Sequence, residues 1–356
     1  MSVAKITCER VNEVEHHPNA DRLDVVQVLG YKVVTGRDQF KVGDSAIYFP
    51  PDILIPEEVS DKLGVRKYLK HAIYPNDLEK TQCRVSSCRL RGVPSHGFIH
   101  GPVEGSFGAD VTHMYKGQKY VPPTRTGAGD ALPELANFHA YTSIENVQRY
   151  PDAIPEGTMC RFTEKIHGTN CRLGLVRDET GEWTFAAGSH RVRRAEFKGE
   201  SDTRSLYWEP MNENMLSMLT HLCDEKHDVV AFGEIFGPGI QDMDYGHRVH
   251  GFRVFDITVD GVYLDWVEVV QVTDAFNIDT VPLLGIREFS LETIEALTYG
   301  ETTLADAEQI RCKFKGREGV VATPTHEQFS NVLGGRMIVK SVSADYRDRK
   351  GAQDNE

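Results

Sequence analysis

Two rhythms of apolar and polar positions divide the chain. Up to about residue 120 the apolar positions come in short runs. Leu23 to Leu29 and Tyr31 to Val34 are rich in β-branched residues with Gly30 between them, and Lys41-Val42-Gly43-Asp44 turns the chain into the run Ala46 to Phe49. Several short strands at this spacing predict a small β-barrel over residues 1–120. The rhythm stops at Val121-Pro122-Pro123-Thr124-Arg125-Thr126-Gly127-Ala128-Gly129-Asp130, where Pro and Gly crowd together, so 121–137 reads as a linker. Elements of both periods then follow over 138–356. Tyr141 to Tyr150 forms a short lead-in, Pro151 to Gly157 a turn region, and Met159 to Thr163 a strand. Arg172 to Val176 and Trp183 to Ala187 form a hairpin that turns through Asp178-Glu179-Thr180-Gly181. Met211, Met215, Leu219 and Leu222 fall at helical spacing and predict a core-facing helix. Strands are expected at 229–236 and 252–257, helices at 290–298 and 303–310, and a last strand from Arg336 to Lys340. The class is α+β, with no internal repeat.

Composition adds limits to this picture. With 356 residues, 40% hydrophobic and 26% charged, the chain is an ordinary globular sequence long enough for two cores. No stretch approaches the length of a membrane span, and Met1 to Cys8 lacks the apolar run of a signal peptide. Seven scattered cysteines, an odd number, point to reduced thiols and a cytoplasmic setting, with a nuclear one open in a eukaryote. Cys83, Cys88, His96 and His100 lack a Cys-x-x-Cys pair and the usual finger spacing, which argues against structural zinc. The net charge of −13 excludes whole-molecule attraction to phosphate but not a local basic groove. Arg84, Arg89 and Arg91 beside Gly92 fit either a phosphate-contacting edge or a solvated hairpin.

The chemistry concentrates after the linker. In Phe162-Thr163-Glu164-Lys165-Ile166-His167-Gly168-Thr169-Asn170 a strand delivers a lysine to the edge of a pocket. Gly168 follows where backbone must pass close to a ligand. Such a lysine is a nucleophile only when neutral, so its site must lower its pKa by burial, a metal ion or a second cation. Glu234, in Phe232-Gly233-Glu234, and Glu318, in Glu318-Gly319-Val320-Val321, each sit in a short apolar strand. A carboxylate there costs several kcal/mol unless paired or metal-bound. Two of them, with two strand-borne lysines, Lys165 and Lys340, read as a phosphate and metal site.

In order, Lys165-x-His167-Gly168-Thr169-Asn170, Ser189-His190-Arg191, Phe232-Gly233-Glu234, Phe255-Asp256-Ile257, Glu318-Gly319-Val320-Val321 and Lys340 resemble motifs I, Ia, III, IIIa, IV and V of the covalent nucleotidyltransferases. The match covers about residues 138–345, and the wording around Lys165 is similar to ATP-dependent RNA ligases of the RNA ligase 2 group. His17-Pro18-Asn19-Ala20-Asp21-Arg22-Leu23 with Val42-Gly43-Asp44 resembles OB-fold modules that bind tRNA, and an OB-like module ahead of the catalytic domain resembles the deinococcal type of RNA ligase. The resemblance implies a catalytic domain of antiparallel sheets with flanking helices, ATP and a divalent cation (Mg2+ or Mn2+) as cofactors, and RNA or a nicked RNA/DNA duplex as partner. No membrane and no obligate protein partner is implied.

It also implies roles. Lys165 would attack the α-phosphorus of ATP, Glu164 would help fix the nucleoside, and Phe255 would stack on adenine. Arg191 would hold a phosphate or the ribose. Glu234 and Glu318 would hold a ribose hydroxyl or the metal, and Lys340 the α-phosphate. Gly168 would let the nucleotide approach, and His167 and Asn170 would serve the later steps. Arg193 and Arg194, with Arg84, Arg89 and Arg91, would face nucleic acid. One position departs: the family's motif V carries Lys-x-Lys, and here Ile338 stands first, with Lys313 or Lys315 as possible substitutes. Only about sixteen residues follow Lys340, leaving no room for the downstream OB domain of DNA ligases and capping enzymes. The expected function is sealing of 3′-OH/5′-phosphate ends in RNA. The alternatives are a decayed nucleotidyltransferase that binds RNA and a GTP-using capping-type guanylyltransferase.

Overall fold

The computed structural model describes residues 5–73, 81–120, 130–197, 203–305 and 315–348. The chain divides into two compact units, Met1–Pro123 and Thr124–Glu356.

The first unit is built on the strand Thr7–His16. A bulge between Val11 and Glu13 lets its first half pair with Ser45–Phe49 and its second half with Leu23–Val28. A strand that bulges in this way bends and turns a corner, and the five-stranded sheet 98–100, 45–49, 7–16, 23–28, 31–36 curls accordingly. Apolar residues fill it in two clusters, one around Val26, Val33 and Tyr48 and one around Ile6, Phe49 and Ile53. Ile53–Pro56, Thr81–Arg84 and Lys70–Ile73 form a second sheet with Gln118–Lys119. Strands Leu23–Val28, Tyr31–Gly36 and Ser45–Phe49 stand where the periodicity expects them. The His17-Pro18-Asn19 turn is locked by its histidine. Nδ1 accepts from Asn19 N at 3.0 Å, so Nε2 donates to Leu90 O at 2.9 Å, tying the turn to the hairpin 88–95.

The second unit has two large sheets, antiparallel except where Glu145–Asn146 runs parallel to Val339–Lys340. The seven-stranded sheet contains β2 (Thr169–Arg177), β3 (Trp183–Ser189), β4 (Val229–Phe236) and β5 (Gly251–Val259). The five-stranded sheet contains β1 (Met159–Lys165), β6 (Leu283–Glu288), β7 (Gly319–Pro324) and β8 (Val339–Val342). Alternation along a strand explains why both faces of the first sheet are buried. Leu173, Val229 and Ala231 join a cluster under helices α1 (Glu213–Cys223) and α2 (Trp266–Ala275), whereas Val230 and Phe232 join Phe138, Tyr141 and Ile338 on the other face. Helix α3 (Leu291–Thr298), capped by Ser290, covers the second sheet through Ile294, which packs with Phe162 and Val320.

Some expectations change here. Residues 130–137, read as linker, are integrated in the second unit: Ala131–Leu132 pairs with Arg193–Arg194, and Leu135 is core. The expected strand 336–340 is broken, because Met337 and Ile338 turn into different apolar clusters before β8 begins. The linker residues 121–129 and most of the expected helix 303–310 lie outside the described residues. Among the described residues, no helix is long and apolar enough to cross a membrane.

Candidate active site

The chain passes from one sheet to the other between Lys165, the last residue of β1, and Thr169, the first of β2. Gly168 is required in that crossover: a Cβ there would lie 2.1 Å from Ile235 O and 2.9 Å from Glu234 Cγ. Its missing side chain lets β2 seat against β4, with Asn170 paired opposite Glu234. Gly319 plays the same part at the start of β7, where a Cβ would meet Ser341 O at 2.0 Å. It brings Glu318, one residue earlier, beside the end of β1, whose Lys165 pairs with Gly319.

The side chains converge there. Lys165 Nζ donates to Glu318 Oε1, with the lysine 23% and the glutamate 3% exposed, so the pair is largely removed from water. Glu318 Oε2 and Asn170 Oδ1 are both buried and accept no hydrogen bond among the described residues. Burial raises the Glu234 carboxyl to about 8. The Lys165 ammonium and the Gly168 N–H pull it down, and Glu318 reinforces the rise. Lys165 therefore sits beside the Glu318 carboxylate and a Glu234 carboxyl that burial holds protonated up to about pH 8, with two acceptor oxygens that are unfilled among the described residues. The buried oxygens cost free energy as they stand and suit a ligand that brings donors or a cation.

His167 is fixed on three sides. Its N–H donates to Tyr245 Oη at 2.6 Å, its Nε2 lies 2.7 Å from Asp242 Oδ1, and its Nδ1 lies 2.7 Å from Tyr346 Oη. Nδ1 is also 3.6 Å from Glu318 Oε2. Lys340, on β8, is 5% exposed and pairs in register with Val321 of β7. Ile338 is 1% exposed among Phe138, Tyr141 and Phe232, so the place where motif V has its first lysine is an apolar core position here. Lys315 is exposed, and Lys313 lies outside the described residues.

Phe255 is the extra residue of a bulge in β5, where pairing shifts between Phe232 and Gly233. It is half-buried and edge-on to Tyr141, with ring centres 4.8 Å apart. Its neighbour Asp256 anchors a buried ionic network. Asp256 Oδ1 accepts from Arg161 at 2.6 Å and Arg336 at 2.9 Å, while Oδ2 accepts from Arg336 at 2.7 Å and from Tyr141 Oη. Glu327 completes the pairing of Arg336. Sequence reading assigned Asp256 no role, although a carboxylate inside an apolar strand was itself the signal.

The other expected residues are placed unevenly. Glu164 is 1% exposed, and its carboxylate accepts from Thr302 Oγ1, from Thr303 Oγ1 at 2.7 Å and from Thr303 N at 2.9 Å, so it is engaged by that loop rather than by Lys165. Arg191 is exposed in the loop after β3. Arg193 is half-buried and bonded to the Pro133–Glu134 segment. Arg194 is 8% exposed and donates to Asp130 at 2.6 Å, which corrects its reading as a surface contact for nucleic acid. In the first unit Arg84 bonds Asp52 and lies 3.9 Å over the Tyr120 ring, so its charge is already matched. Arg89 and Arg91 are exposed on the hairpin 88–95, which turns through Arg91 and Gly92 at φ 51° and 92°.

Among the described residues, no three His, Cys, Asp or Glu side chains stand together as a metal set. What the site offers is oxygen: Glu318 Oε2, Asn170 Oδ1 and Glu234. That donor type suits a hard divalent cation held by one or two carboxylates and completed by substrate oxygens and water.

A family model described as RNA ligase matches residues 160–342, and one described as an OB-fold domain matches residues 5–102. Curated protein sequences give no match. Among solved structures, a mutant of Naegleria gruberi RNA ligase with ATP and Mn is 22% identical, with TM-score 0.71 over 98% of this chain and 99% of that one. The same ligase with PPi is 23% identical, with TM-score 0.70 over 97% and 98%. Another mutant of it with AMP and Mn is 22% identical, with TM-score 0.73 over 98% and 100%.

Proposed function

The chain belongs to the RNA ligase family, and from that premise we propose that it joins RNA 3′-OH and 5′-phosphate ends with ATP, through an AMP carried on Lys165. The observation that carries this reading is the end of β1: a lysine paired with a buried glutamate, with two buried oxygens, Glu318 Oε2 and Asn170 Oδ1, that accept no hydrogen bond among the described residues. Structures of Naegleria gruberi RNA ligase are with ATP and Mn or AMP and Mn, which is the ligand set this site would take.

In the first step Lys165 Nζ loses its proton and attacks the α-phosphorus, the bond to pyrophosphate breaks, and a phosphoramidate forms. An oxygen of the RNA 5′-phosphate then attacks that phosphorus and releases the lysine. Finally the 3′-OH attacks the activated 5′-phosphate and AMP leaves. Glu318 and Glu234 would hold the divalent cation, whose chemistry is to neutralise charge developing on the phosphate oxygens. Glu318 accepts the Lys165 hydrogen bond and is placed to take its proton. Lys340, buried beside β7, supplies positive charge for the transferred phosphate. Phe255 offers an aromatic face to the purine, and a nick in a duplex is the substrate form favoured by the two-unit chain.

The test is incubation with α-labelled ATP and Mg2+ or Mn2+, followed by mapping of the label. Lys165→Ala is expected to carry none, and Lys165→Arg none either, because a guanidinium stays protonated. Label on another lysine would sink the assignment. Label from GTP rather than ATP would favour a capping-type enzyme.

A further inference from the structure

Phe255 is the bulged residue of β5, so the ladder does not set its aim. Phe232 of β4 pairs with Asp256 and Gly233 with Val254, which leaves Phe255 without a register partner there. Two side chains set it instead. Arg161 Nη1 donates to Phe255 O at 3.2 Å, and Tyr141 meets the Phe255 ring edge-on, with ring centres 4.8 Å apart. Arg161 is itself held fast. Its Nη2 donates to Asp256 Oδ1 at 2.6 Å, its guanidinium lies 4.3 Å over the Trp266 ring at the start of α2, and it is 4% exposed. The Tyr141 hydroxyl donates to the same carboxylate and accepts from Arg336 at 2.9 Å.

The place of Arg161 in the sequence gives this contact a use. Cys160 and Phe162 pack in the cluster under α3, so alternation turns Arg161, Thr163 and Lys165 to the opposite face of β1. The strand that ends in Lys165 thus carries, on the same face, the cation that grips the Phe255 backbone in the other sheet. We propose that Arg161, with Tyr141, is a positioning residue: it fixes the Phe255 ring in relation to Lys165 and so sets where a purine stacks when its α-phosphate lies at the lysine. One branch of the guanidinium takes the carboxylate and the other the carbonyl, a task for a planar fork rather than a point charge. The purine part rests on the ligase reading above; the hold on the ring does not.

The experiment uses the full-length protein and the initial rate of protein-bound AMP formation against ATP concentration. Arg161→Lys keeps a charge beside Asp256 but does not span both oxygens. It should raise the KM for ATP toward the about tenfold rise of Phe255→Ala, with kcat moved less, because the base lies away from the reacting phosphorus. In the Phe255→Ala background Arg161→Lys should raise KM no further. A full multiplicative rise there would show that Arg161 acts through general stability, and would overturn the proposal. So would an unchanged KM in Arg161→Lys alone. Ring-13C phenylalanine gives a readout without turnover, the Phe255 signals being those lost in Phe255→Ala. They should shift in Arg161→Lys, and unshifted signals would overturn the proposal whatever the KM. Tyr141→Leu, which leaves the charges of the network in place, is the second variant if Arg161→Lys does not fold. It should raise KM and shift the ring signals, and Tyr141→Phe, which keeps the edge contact, should do both less. Unshifted signals in Tyr141→Leu would count against the proposal in the same way. Wild-type protein that takes no label from ATP would instead refute the ligase reading and leave the hold on Phe255 to be judged from the ring signals.

Discussion

Burial by itself raises the Asp256 carboxyl, but the Arg336 and Arg161 guanidiniums override it and hold the group at about 2. A carboxyl depressed in the fold adds stability that is complete above its ordinary value of 3.8 and is lost as pH falls toward 2. Thermal melts across that window should therefore drop more steeply for wild type than for Asp256→Asn. At neutral pH the same substitution leaves two buried arginines short of counter-charge and should cost about 3–5 kcal/mol. The variant melting as wild type at pH 7 would show that Glu327 and Tyr141 suffice. Phe255→Ala, one residue away, should raise the KM for ATP about tenfold, the worth of one stacked base, with the protein still folded. An unchanged KM would make Phe255 an ordinary packing residue. At this scale the sequence discloses groups whose chemistry is local. Lys165, His167 and Gly168 stand in one short motif and meet in space. Asp256 escapes notice because its partners Arg161 and Arg336 come from distant strands, and Arg194 misleads because its partner Asp130 was read as linker.

The crossover from β1 to β2 is the element on which the site depends. Gly168→Ala would force Ile235 O and Glu234 apart, and such overpacking costs about 1–3 kcal/mol. Because the displaced group is Glu234, AMP formation should fall further than stability does. Equal activity at a lower melting temperature would separate the crossover from the chemistry. Strands β2, β3 and β4 were legible as short runs of apolar residues, because both their faces are buried, and helix α1 was legible because it buries one methionine-rich stripe. Helix α2 was not read, since its apolar residues do not form a single clear stripe. Its one signal was the Asp265–Glu268 capping box. Strand β6 is half-exposed at a sheet edge and has no alternation to read.

Each unit of the molecule has its own apolar clusters, so each can be tested by itself. Removing residues 1–123 should leave protein-bound AMP formation largely intact while sealing of a nicked duplex falls severely. A truncated protein that seals nicks as fast as the intact one would give the first unit another task. The two-unit plan was legible because the Pro- and Gly-rich stretch interrupts every periodicity. What pairs with what in the second unit was not, since its contacts join distant parts of the chain. Lys165 and Glu318 are 153 positions apart, and Tyr346 and His167 are 179 apart. On the ribosome Lys165 therefore emerges long before the strand and turn that complete its surroundings. A nascent chain that has passed Lys165 but not Glu318 holds the lysine without Glu318, Lys340 or Tyr346. On the proposed function, stalled chains should stay unlabelled by ATP until β7 and β8 have joined β1.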